Sequence, residues 1–131
     1  MIGRADSRII VGMEPTTPAD EYGVLCDEIR TLLERPASAP DLSLERLEDT
    51  LTEGYARALA LEAERLRIER QIGALGADVN RGERPGNDIE TLAAGLSHAS
   101  RRLDGLRGLL ASLRQRADAV RNRQIARSAA G

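Results

Sequence analysis

Between residues 44 and 79 apolar side chains return at alternating intervals of three and four, and they do so again between 89 and 120. In the first stretch Leu44, Leu51, Ala58, Arg65, Ile72 and Val79 hold the a positions of a heptad, and Leu47, Gly54, Leu61, Ile68 and Leu75 hold d. In the second, Ile89, Leu96, Leu103, Leu110 and Ala117 are a, while Leu92, Ala99, Leu106, Leu113 and Val120 are d. A helix with such a stripe needs another helix to cover it, which predicts a coiled coil. Gly54 and Arg65 are the two exceptions in the first repeat.

"NRGERPGN" (80–87) separates the repeats and reads as a turn, with two glycines and a proline. Two long helices joined by so short a turn must run antiparallel. Charges beside the stripe agree. The first helix carries Glu48, Glu62, Glu64, Glu69 and Asp78 at e and g, and the second carries Arg102, Arg107, Arg114, Arg116, Arg121 and Arg123 there. In an antiparallel pair e faces e and g faces g, so acid meets base between the halves. One register joins Glu62 to Arg107 and Glu48 to Arg121; a slip of one heptad joins Glu64 to Arg102 instead.

Upstream, "TPADEYGVLCDEIRTLLER" predicts a short amphipathic helix over 18–35, with Thr17 as cap and Tyr22, Leu25, Ile29, Leu32 and Leu33 on one face. "PASAP" begins a proline-rich linker over 36–42. Ser43 then caps the hairpin, and Leu42 with Leu47 has the spacing of a hydrophobic staple. The expected organisation is all-α: a flexible tail (1–17), a docking helix (18–35), the linker, a long antiparallel two-helix coiled-coil hairpin (43–127, with helices over about 43–79 and 88–125) and a tail (128–131). "RIIVGM" (8–13) is an apolar run within the first tail.

A two-helix seam is a thin core, and this chain has two Tyr and no Phe or Trp to thicken it. Two remedies are visible. The short helix can fold back on the hairpin, and Leu59, Leu66, Ala56 and Ala63, which lie outside the seam, offer a second apolar strip. Leu109 at a g position is expected to join that strip. Leu59, Ala63, Leu66 and Leu109 are therefore the candidate partner-binding residues, for another protein or for a second copy of the chain.

The remaining candidates are charged. Arg65 inside the seam reads first as a register device and second as an anion-binding arginine. Arg101, Arg102 and Asp104 in "SRRLD" have a spacing that can meet a guanine-like edge, although Arg and Asp three apart on a helix commonly pair with each other. The arginines at 114, 116, 121, 123 and 127 could grip phosphates, but no aromatic is interleaved with them and the acids of the first helix can neutralise several. Net charge is −2, with all 19 basic residues arginine, so no overall attraction to nucleic acid or to an anionic membrane is expected.

His98 falls at an exposed position with no triad or metal partners nearby, and the lone Cys26 reads as a small buried hydrophobe. No cofactor or metal motif and no catalytic motif is visible. No run approaches the length of a membrane span, so a soluble cytoplasmic protein is the expectation. The pattern is similar to that of small coiled-coil adaptors, secretion chaperones and anti-sigma-type hairpins. It implies non-catalytic protein binding, with a nucleotide-responsive regulator and a nucleic-acid accessory protein as the competing readings.

Overall fold

A computed structural model describes residues 18–80 and 88–130. Among them the chain is all-α, with three helices and no strand: α1 (Pro18–Leu33), α2 (Leu44–Asn80) and α3 (Asp88–Ala130). The tail 1–17 with its apolar run, the cap at Thr17 and the turn at 81–87 lie outside the described residues. The last helix runs on to Ala130, through most of the stretch expected as a tail. That stretch is Ser-Ala-Ala-Gly, and with no glycine or proline before Gly131 nothing in it stops a helix earlier.

Helix α2 starts where its cap chemistry dictates. The Ser43 hydroxyl accepts the amide of Arg46 at 3.1 Å, and Leu42 and Leu47 are both buried, as a staple requires. The linker is not slack. Two tight turns, Ala39 to Pro36 and Leu42 to Ala39, fold it, and an Arg35–Asp41 ion pair spans it.

Contacts between the long helices pair residues whose numbers fall along α2 as they rise along α3. Glu48 meets Arg121, Gly54 faces Leu110, Glu62 meets Arg107, and Ile68 approaches Gly95. This is the register that joins e to e, without the one-heptad slip. The buried cluster is built from the expected seam: Leu47, Leu51 and Leu61 of α2 with Leu103, Leu106, Leu110, Leu113, Ala117 and Val120 of α3. Gly54 is an exception with a steric cause. A Cβ there would stand 2.3 Å from Leu110 Cδ2, so the missing side chain is what lets that leucine enter the seam.

Helix α1 lies along the groove bordered by the g positions of both long helices. Its residue numbers rise with those of α3: Tyr22 sits by Arg102, and the Leu33 carbonyl accepts from Arg116. Against α2 the order is opposite, with Glu21 on Arg57 and Glu28 on Arg46. Leu25, Cys26 and Ile29 are buried on the inner face of α1, and Thr50 of α2, a g residue, is the buried polar side chain of the described core. Gly105 is the close-approach point, since a Cβ there would come 3.2 Å from the Tyr22 hydroxyl.

A candidate partner-binding face

The heptad geometry leaves each flank of α2 with a different job. The e flank carries charge: Glu48 and Glu62 bond Arg121 and Arg107, and the Tyr55 hydroxyl accepts from Arg114 at 3.4 Å. The g flank seats α1. The b, c and f positions turn away from the seam, and this outer face holds Leu59, 67% exposed, and Leu66, 47% exposed, seven residues apart. Ala56, Ala60 and Ala63 beside them are exposed as well. On the α1 side of this face Arg46 bonds Glu28, and Glu53, Ala56 and Ala60 line a cavity of about 320 Å³ with Glu21 and Leu25. Exposed leucines on one line of a helix are the feature that a lone hairpin has no structural use for.

Leu109 does not belong with them. It is half-buried and packs against the core cluster, one heptad from Arg102 and one from Arg116, both of which bond α1. A g position looked unused in the sequence because the side of the hairpin that α1 would take was not encoded in the period. Of the four candidate residues, Leu59, Ala63 and Leu66 share the outer face of α2 and Leu109 lies in the seat of α1.

Arg65 sits half-buried in the seam, with its Nε shut off from solvent and without a hydrogen-bond partner. Arg101 and Asp104 are exposed and do not form an ion pair with each other. Arg102 is turned to α1, where its guanidinium lies 5.1 Å from the centroid of the Tyr22 ring and its carbonyl accepts the Tyr22 hydroxyl at 3.1 Å. Burial raises the Tyr22 pKa above the ordinary value, with Cys26 adding to the rise and the charges of Arg102 and Arg30 opposing it. Arg102 is thus committed to holding α1, away from the exposed Arg101 and Asp104.

The C-terminal arginines are largely engaged. Arg114 lies near Asp118, Arg116 donates to the Leu33 carbonyl, and Arg121 bonds both Glu48 and Asp118, which raises its pKa. Arg123 and Arg127 are exposed and line a cavity of about 670 Å³ between the linker and the end of α3. Glu45 and Glu48 share that lining, so the site is of mixed charge. Cys26 is buried and His98 exposed, and among the described residues no group of His, Cys, Asp and Glu could hold a metal. No described helix is long and apolar enough to cross a membrane. The chain matches no protein-family model, no curated protein and no solved structure.

Proposed function

We propose that this chain is a non-catalytic interaction module: an antiparallel coiled-coil hairpin, braced by α1, that offers the outer face of α2 to a protein. The observation that carries the reading is the pair Leu59 and Leu66, exposed on the one flank of α2 that neither the seam nor α1 uses. Helix-face recognition relies on apolar anchors at such spacing, set in a groove or against another helix. The alanines between them let a partner's backbone approach, and the charges on either side set its direction. The single buried thiol suits a reducing compartment such as the cytoplasm.

A photo-crosslinking amino acid placed at position 59 or 66 in the native host tests this. Protein adducts, to another chain or to a second copy, should form from both positions and not from the exposed Gln115 of α3. Equal adduct yields from all three positions would remove the case for this face.

A further inference from the structure

We propose that the outer face of α2 is a symmetric interface, on which two copies of this chain pair α2 against α2 in opposite directions. The proposal rests on the reading above and names the partner. Between residues 53 and 70 of α2 the outward c and f positions read Glu53, Ala56, Ala60, Ala63, Arg67 and Arg70, spaced by three and four, and every one of them is exposed. Next to this stretch the same positions hold Asp49 and an Arg46 bonded to Glu28 on one side, and Ala74 and Ala77 on the other. The stretch 53–70 is therefore acidic at one end, basic at the other and apolar in the middle. Leu59 and Leu66 run along one edge of its apolar centre.

A dipolar face of this kind complements itself in one alignment. With a two-fold axis between Ala60 and Ala63, Ala60 of one copy packs on Ala63 of the other. Leu59 then meets Leu66, because edge positions on the same side face each other when helices run antiparallel. Glu53 meets Arg70 twice, once on each side of the axis, and Ala56 lies under the stem of Arg67. The paired stretch, residues 53–70, is about 26 Å long at the rise of an α-helix. A parallel pairing would set Glu53 beside Glu53 and Arg70 beside Arg70, which like charges disfavour. Such an isologous contact closes after two copies. Among the described residues neither Glu53 nor Arg70 forms an ion pair.

Sedimentation equilibrium of the full chain across the micromolar to millimolar range tests the proposal. The wild type should be a dimer, and Ala63→Glu, which puts a charge at the centre of an exposed face, should be a monomer with unchanged helix content. Glu53→Arg alone and Arg70→Glu alone should each weaken the dimer about tenfold, since two ion pairs become two repulsions. Mixing the two variants should restore wild-type affinity. In the mixed dimer the arginine introduced at position 53 faces the glutamate introduced at position 70, and the native Arg70 of one copy faces the native Glu53 of the other. A monomeric wild type, or charge variants whose mixture stays as weak as either alone, overturns the symmetric pairing. Adducts to a different protein from positions 59 and 66, with a monomeric wild type, would leave the interaction module standing and remove the second copy. Should Ala63→Glu lose helix content, the mixing experiment still decides.

Discussion

Arg65 carries its cost in a single atom. A donor buried without a partner loses its hydration and gains nothing in return, a penalty of about 1–3 kcal/mol. Its Nε is in that state, while the half-burial of the residue leaves part of the side chain in water. Replacing Arg65 with leucine removes the orphaned donor and extends the apolar seam between Leu61 and Ile68, both buried. Arg65→Leu should therefore unfold at higher urea concentration, with a gain of ~1–2 kcal/mol. If the arginine acts as a register device, the gain comes with a looser choice of pairing, visible as a broader set of species in sedimentation. A variant less stable than the wild type would mean that the guanidinium, and not the seam, is what the position is for. Gly54, the other exception in the pattern, makes the opposite case: an absent side chain is filled by Leu110 from across the seam.

Helix α1 was legible as a helix that can fold back on the hairpin, but its seat was not. Its apolar stripe named Leu25 and Ile29 correctly as an inward face, and the cap and staple at Ser43, Leu42 and Leu47 were readable because they are local. Which flank of the hairpin it would choose was not readable, since Tyr22, Arg102 and Gly105 are brought together only by the tertiary fold. That contact is testable through pH. Tyr22 donates to the Arg102 carbonyl, so Tyr22→Phe should cost ~0.5–1.5 kcal/mol at neutral pH. Burial holds the folded-state pKa of Tyr22 above that of the unfolded chain, so the neutral phenol favours folding. Its contribution is fully present below about pH 10, the unfolded value, and is lost as pH rises through the folded one. Urea melts followed by circular dichroism at pH 8 and above pH 10 should show the gap between wild type and Tyr22→Phe closing on the alkaline side. A gap that stays constant would place the phenol's worth in packing alone.

Across the whole molecule the core tapers. Among the described residues α1 covers the hairpin from Leu33, beside Arg116, to Glu21, beside Arg57, one turn from its first residue Pro18. Within that span three helices meet and the seam is closed, with Leu47, Leu103, Leu106 and Leu113 inaccessible. Beyond it, among the described residues, two helices continue toward residues 80 and 88, and seam residues Ile72, Leu75, Ile89, Leu92 and Leu96 are each half-exposed. The heptad pattern carried no warning of this, because a and d positions repeat with equal clarity in both halves and burial depends on what lies above the seam. Local stability follows the number of apolar contacts that hold a segment. Amide hydrogen exchange should therefore be slowest over residues 47–61 and 99–117 and faster over 69–77 and 89–96, in helices whose backbone bonding is alike. Protection that is uniform along α2 and α3 would show the distal pair to be as cooperative as the braced one. The proposed α2 pairing adds a signature of its own. Its footprint, residues 53–70, straddles Arg57, where Glu21 of α1 sits, so dimerisation braces the hairpin past the described reach of α1. Protection over 61–70 should then rise with protein concentration in the wild type and stay flat in Ala63→Glu, while that over 99–117 should not change in either.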